Sequence, residues 1–197
     1  MRWIQLLEEE NFSFTIYKLK RYDSIIIAPN SNAKNLLIIL DGFINMLKVF
    51  TNNETLCLGL LTNNCIIQQY NITSKPINYY YKANAMTLTI VLSININSLI
   101  INKNTKNLLI SYLVSSYSKT LTSYETIFTI YAQKNATRKI IQLLLILSEE
   151  FGNLSNTDIK IPFGLTHYSL SIIIGINRVN VTKIMNYLQS QIFNFIQ

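Results

Sequence analysis

The chain has 197 residues, 49% of them hydrophobic, and carries a formal net charge of +7 at pH 7. That length and apolar content suffice for a β domain plus a smaller helical one and exclude a disordered chain, while the positive balance suits a polyanionic partner without identifying it. The longest apolar runs, near Ile140 to Leu147 and Ile172 to Ile176, are too short to cross a bilayer, and MRWIQLLEEE places three acids where a signal peptide needs a hydrophobic segment, so a soluble protein made where it works is expected.

Met1 to Glu10 reads as a short helix, after which Phe12, Phe14 and Ile16 alternate with Ser13, Thr15 and Tyr17 as a strand does. Ile25 to Ile27 continues the β pattern and Pro29 to Asn32 forms a turn cluster. Leu36 to Leu40 then runs into Asp41-Gly42, a strong hairpin signal, before Phe43 to Phe50 returns. Thr51 to Glu54 turns the chain again, Thr55 to Leu61 is a further strand, and Thr62 to Asn64 another turn. Ile77 to Tyr81 and Met86 to Ile94 complete a set of short strands whose spacing predicts a β-sandwich, barrel or roll.

No glycine-rich phosphate loop or paired carboxylates interrupt this region. Nowhere can a nucleophile, a base and an anion hole be assembled, so no enzyme is expected. Cys57 and Cys65 have no third cysteine to complete a metal site and are expected to be reduced core thiols. His167 is the only histidine, which excludes a multi-histidine metal centre.

From Thr105 to Gln133 the pattern becomes that of a long helix. Ile110, Val114, Tyr117, Leu121, Tyr124, Phe128 and Tyr131 fall at alternating steps of four and three, a heptad seam. Two readings are open: a two-stranded coiled coil, or one helix packed on its own β domain. Asn135 is expected to cap a further helix, Ala136 to Phe151, ended by Gly152, with its apolar side against the segment that follows. Gly152 to Gly164 reads as a loop with a short strand at Asp158 to Ile161, and Ile192 to Ile196 as a last strand.

Between them, Leu165 to Leu188 reads as two short helices about a glycine-centred turn. Thr166 caps the first, along which Leu170, Ile173 and Ile174 recur at helical spacing until Gly175, with Ser171 small at the crossing. Asn177 caps the second, where Val181, Ile184, Met185 and Leu188 form the inward stripe and Arg178, Val179, Thr182 and Lys183 the other face. Arg178 in the first turn has the reach to pair with guanine in a major groove, and Thr182 and Lys183 that to meet bases or phosphates. An ordinary αα-hairpin with a solvated face is the plainer reading of the same pattern.

GINRVNVTKIMNYL resembles the recognition element of the cyclic-AMP receptor / fumarate-nitrate regulator (Crp-Fnr) family, which reads G-x-[ST]-R-x-[TS]-[VT]-x-[RK] followed by a hydrophobic residue and Leu or Met. The Arg-Val pair followed by Val-Thr-Lys is most similar to the nitrogen-responsive branch of cyanobacteria and red-algal plastid genomes. The resemblance implies an α+β fold: an antiparallel, cyclic-nucleotide-binding-like β-roll over 1–104, a dimerisation helix over 105–134, and a winged helix-turn-helix with a truncated wing over 135–197. It implies a homodimeric DNA-binding regulator of nitrogen control in which Arg178 and Val179 face bases, Lys183 is a second basic contact, and Thr166 touches phosphate. His167 is expected either to be a plain exposed polar side chain or to touch phosphate. Double-stranded DNA and a second copy are the expected partners, RNA polymerase a further one, and no membrane. The low Gly and Pro content beside many Asn, Ile, Lys and Tyr is the codon bias of an AT-rich genome, which together with the resemblance points to an organelle-encoded plastid protein of the stroma, or otherwise to the bacterial cytoplasm.

Cyclic-nucleotide binders of this family hold the phosphate with a glycine-rich turn, a Glu and an Arg. Leu61 to Tyr81 contains none of these, so cyclic AMP is not expected. The nitrogen-responsive branch holds 2-oxoglutarate through main-chain groups that align with Ile67 and Gln68, an acid that aligns with Glu125, and two arginines. One arginine aligns near Asn78 or Tyr79 and the other with Thr120 beside Lys119, so both guanidinium partners are lost. Each charged hydrogen bond is worth roughly 1.5–3 kcal/mol, and tight 2-oxoglutarate binding is not expected unless Lys119 or Lys75 substitutes. The eroded pocket also leaves open a protein-interaction module on the transcription machinery that reads no DNA.

Overall fold

The computed structural model describes residues 2–28, 35–67, 78–95, 107–155 and 158–194. It divides into two compact units, Met1–Glu125 and Thr126–Gln197, with the division falling inside the long helix.

The first unit holds α1 (Arg2–Glu9), strands β1 (Phe14–Leu19), β2 (Ser24–Ile27), β3 (Asn35–Asp41), β4 (Ile44–Phe50), β5 (Thr55–Leu61), β6 (Tyr79–Ala85) and β7 (Thr89–Asn95), and most of α2 (Asn107–Ala132). The strands form two antiparallel sheets, ordered β1-β7-β3 and β2-β6-β4-β5. The turn cluster at Pro29 to Asn32 and the start of the Ile77 to Tyr81 strand lie outside the described residues.

β3 reads as an unbroken apolar run because both of its faces are buried. Leu36, Ile38 and Leu40 join Leu92 and Ile94 of β7, Trp3 and Leu7 of α1, and Leu109 of α2 in one core. Ile39, Val91 and the partly buried Leu37 face Ile44, Met46, Tyr81 and Ala83 of the second sheet.

Asp41-Gly42 is not a hairpin. β3 pairs with β7, whereas β4 pairs with β5 and β6, so the chain changes sheets at this point. A two-residue type I′ turn needs positive φ at both central residues, and of these two only Gly42 has it, at 104°. A Cβ on Gly42 would lie 2.5 Å from the Thr89 hydroxyl oxygen and 2.7 Å from the Leu88 carbonyl oxygen. The glycine therefore lets this crossover nest against the one that carries β6 into β7. Phe43 N–H donates to Thr87 Oγ1 at 3.0 Å and Met86 N–H to the Phe43 carbonyl at 2.8 Å, which pins the two crossovers together. The same crossover delays β7, which starts at Thr89 rather than Met86.

α2 is stitched to the β domain by side chains. Thr120 Oγ1 accepts from Ile66 N–H at 2.8 Å and donates to the Ser116 carbonyl at 2.9 Å, and Ser123 Oγ donates to the Leu60 carbonyl at 2.6 Å. Gly59 makes room for the ring of Tyr124, whose Cε1 would lie 2.7 Å from a Cβ there. Cys57 and Cys65 are free and buried, and burial pushes both thiols above their ordinary range.

In the second unit the end of α2 is followed by α3 (Ala136–Phe151), strands β8 (Asn153–Leu154) and β9 (Ile159–Lys160), α4 (His167–Ile174) and α5 (Arg178–Asn194). Asn135 caps α3, accepting from Thr137 N–H, and Gly152 ends it in an extended conformation. Ile140, Leu143 and Leu147 are the buried residues of α3, which packs on both α4 and α5. Of the strand expected at Ile192 to Ile196, Ile192 to Asn194 instead continue α5, because no Gly or Pro follows Arg178 to stop it, and the rest lies outside the described residues. The two-stranded sheet of this unit instead precedes the helix pair.

Candidate nucleic-acid interface

Both helices of the α4–turn–α5 pair start on a side-chain cap of the expected type, and α4 ends on the expected glycine. Thr166 sits in the extended conformation and its hydroxyl oxygen accepts from Ser169 N–H at 3.0 Å. Ser169 Oγ lies 2.9 Å from the same oxygen, so the residue that stands where a capping box has an acid reinforces the cap. Gly175 is left-handed, with φ 66° and ψ 39°, and Ile176 N–H reaches back to the Ser171 carbonyl at 3.1 Å, the long bond of a Schellman stop. Asn177 Oδ1 accepts from Val179 N–H at 2.9 Å and starts α5.

Leu170, Ser171, Ile173 and Ile174 of α4 and Val181 of α5 are buried between the helices. Ile184, Met185 and Leu188, expected as a buried stripe with Val181, are only half-buried, since α5 packs on two neighbours rather than inside a shell. Arg178, Val179 and Lys183 are exposed, Val179 at 58%. Asn186, overlooked in the sequence reading, is exposed one turn beyond Thr182 on the same face; its spacing of eight from Arg178 is the signal that places it. No Asp or Glu occurs after Asp158, so the positive end of the α5 dipole, Arg178 and Lys183 share a face free of acids along the chain. His167 and Thr182 meet each other: Nδ1 lies 3.0 Å from Oγ1.

The seam residues of α2 divide between two environments. Ile110, Val114, Tyr117, Leu121 and Phe128 are exposed, at 40% to 66%, along one side of the helix. Leu109, Ser116, Thr120, Ile127 and Ile130 are buried along the other. The two readings of the helix are therefore compatible: one stripe packs on the chain itself and a second, apolar, is left uncovered. Tyr124 turns inward against Gly59, and Tyr131 is half-buried beside Gly175.

The described effector candidates Ile67, Lys119 and Glu125 all belong to the first unit. Ile67 is buried in the apolar core and its N–H donates to the Leu37 carbonyl. Lys119 Nζ donates to the Asn63 carbonyl at 3.0 Å, and Glu125 is exposed. Gln68 and Lys75 lie outside the described residues. Where the β-roll arginine aligns, Tyr79 packs edge-on against Tyr81, at 5.4 Å between centroids, under the Lys48 ammonium 3.8 Å away. Burial, helped by Tyr79 and Tyr124, pushes the Tyr81 phenol above its ordinary range. Among the described residues no group of His, Cys, Asp and Glu has the arrangement of a metal site.

The chain is similar to the HTH-type transcriptional regulator ycf28 of Porphyra purpurea, with 33% identity over 188 residues that cover 94% of this chain and 76% of that protein. It resembles the solved structure of a transcriptional regulator of the CRP/FNR family from Thermus thermophilus at a TM-score of 0.67 and 19% identity, over 90% of this chain and 87% of that one. The chain belongs to the CRP/FNR family of transcriptional regulators. The global nitrogen regulator of Synechococcus elongatus is 25% identical to this CRP/FNR member over 169 residues, covering 83% of it and 74% of the relative. No protein-family model matches the chain. The family's β-roll accounts for the two antiparallel sheets, and its helix-turn-helix for the α4–α5 pair. Among the described residues no helix is long and apolar enough to cross a membrane.

Proposed function

We propose that this CRP/FNR-family chain is a DNA-binding transcription regulator of nitrogen control that works as a homodimer. Each copy lays α5 in the major groove of one half of a palindromic site, with half-sites about 34 Å apart. The observation that carries the reading is the exposed face of Arg178, Val179 and Lys183 at the N-terminal end of a helix held by a left-handed Gly175 turn. Arg178 is assigned to guanine, Val179 to apolar base contact, and Lys183 and Thr166 to the backbone. The uncovered stripe of Ile110, Val114, Tyr117, Leu121 and Phe128 supports a second copy as the partner of α2. RNA polymerase is a further partner of such a regulator, and the similarity to ycf28 of a red alga supports a plastid setting.

DNA reading in this proposal needs neither cyclic AMP nor 2-oxoglutarate. Thr120, at the position of the lost helix arginine, is spent on Ile66 and Ser116, and tyrosines fill the place of the other. The test is binding to a palindromic duplex with GTA…TAC half-sites, titrated with salt, with and without 2-oxoglutarate. Arg178→Ala should cost about 1–3 kcal/mol and relax specificity, and Lys183→Ala should lower the salt slope by about one. Unimpaired binding by both variants would sink the assignment of α5 and favour a protein-docking role.

A further inference from the structure

The histidine–threonine contact ties the first residue of α4 to the second turn of α5. Thr182 Oγ1 lies 3.1 Å from the Arg178 carbonyl oxygen, to which it donates, and 3.0 Å from His167 Nδ1. A hydroxyl has one proton. With that proton assigned to the Arg178 carbonyl, Thr182 accepts from His167 with its hydrogen on Nδ1. The bonds therefore run from the first residue of α4, through Thr182, to the backbone of the residue whose guanidinium heads the exposed face of α5.

We propose that His167 and Thr182 are positioning residues that set the angle of α5 against α4 for base reading, rather than DNA contacts in their own right. The proposal rests on the reading of α5 as the helix that enters the groove. Gly175 to Asn177 joins the two helices at one end, and the buried Leu170, Ile173, Ile174 and Val181 hold them together between. Apolar packing is not directional, so it resists separation more than it resists a small swing. His167 opens α4 seven residues before its last, Ile174, a lever of about 10 Å at 1.5 Å per residue, so slack of about 1 Å at that end turns α5 by about 6°. A bidentate arginine–guanine pair has the fixed fork geometry that such a swing spoils, whereas a point-charge contact to phosphate tolerates it.

The test uses the full chain with His167→Ala, His167→Asn, His167→Gln, Thr182→Val and Thr182→Ser on palindromic and scrambled duplexes over a salt series. An Asn amide nitrogen stands near the place of Nδ1 and a Gln amide nitrogen near that of Nε2. His167→Ala, His167→Gln and Thr182→Val should weaken specific binding about threefold to tenfold, the worth of one hydrogen bond, leaving scrambled-duplex binding and the salt slope unchanged. His167→Asn and Thr182→Ser should stay within about twofold of the wild type. In the unmodified protein, the nitrogen resonances of the one imidazole should report a hydrogen on Nδ1, a readout that no folding defect of a variant can blur.

A hydrogen on Nε2 alone would overturn the direction of the bond, making Thr182 the donor to Nδ1. A His167→Gln protein that binds normally while His167→Asn fails with a salt slope lowered by about one would overturn the pairing in favour of a phosphate contact. So would variants that all bind like the wild type while Arg178→Ala loses specificity; that result leaves the reading of α5 intact. A wild-type chain that does not distinguish the palindrome from the scrambled duplex would bring down that reading and the pairing with it.

Discussion

Replacing Thr120 with valine removes a hydroxyl from between α2 and the β domain while keeping the side chain's shape. Thr120 is buried, at 5% exposure, and its Oγ1 is the acceptor for Ile66 N–H at 2.8 Å. Ile66 is itself fully buried, so valine leaves a backbone donor that water cannot reach, at a cost of about 1–3 kcal/mol. The Ser116 carbonyl loses little, because it remains in the helical ladder of α2. For a chain of this size about 2 kcal/mol corresponds to roughly 4–8 °C in Tm. Thr120→Ser keeps the hydroxyl and gives up one methyl, worth about 0.8 kcal/mol. Urea and thermal unfolding of the three proteins should therefore rank them wild type, Ser, Val, and amide exchange at Ile66 should accelerate in the valine protein. A valine protein within about 0.5 kcal/mol of the wild type, or one more stable than the serine protein, would refute the bridging role.

At Gly175, alanine should cost about 1–2 kcal/mol for its left-handed φ, and asparagine less; urea unfolding that shows equal losses would mean that the turn does not need positive φ. Leu121→Glu and Phe128→Glu, at positions 59% and 66% exposed, should convert a dimer to monomers in analytical ultracentrifugation with little change in secondary structure; a persistent dimer would place the contact elsewhere. The Tyr81 phenol is held above its unfolded value, so its contribution to stability is complete below the ordinary tyrosine pKa of about 10 and is lost as pH rises past it. Absorbance titration should show this tyrosine ionising only with alkaline unfolding, and early titration of every tyrosine would contradict the packing. Cys57, its thiol buried and bonded to Asn45 Oδ1 at 3.0 Å, should react with a thiol reagent at pH 8 only as fast as the chain unfolds.

Much of the helical half was legible because its signals are local. A cap, a stop and a spacing of three or four residues act within one or two turns, so Thr166, Gly175, Asn177 and Asn135 could be assigned from their neighbours alone and occupy those roles in the structure. The strands were legible as elements for the same reason, but their pairing was not. Asp41-Gly42 carries the local mark of a hairpin, and only the burial of β3 against β7 and of β4 against β6 decides that the glycine serves a crossover between sheets.

The amino-acid sequence by itself determined most of the order of elements, the resemblance to the family and the exposed basic face of α5, because periodicity, motif and charge are properties of the chain. Three things required the tertiary structure. It turned Tyr124 inward over Gly59 while leaving Val114 and Leu121 uncovered, it spent Thr120 on Ile66, and it joined His167 to Thr182 across fifteen residues. A heptad marks which residues share a side of a helix, but what covers that side depends on a partner surface that comes from elsewhere in the chain. A hydroxyl or an imidazole likewise carries no address in sequence: its partner is whichever buried donor or acceptor the fold brings within 3 Å, and that is settled only when the elements pack.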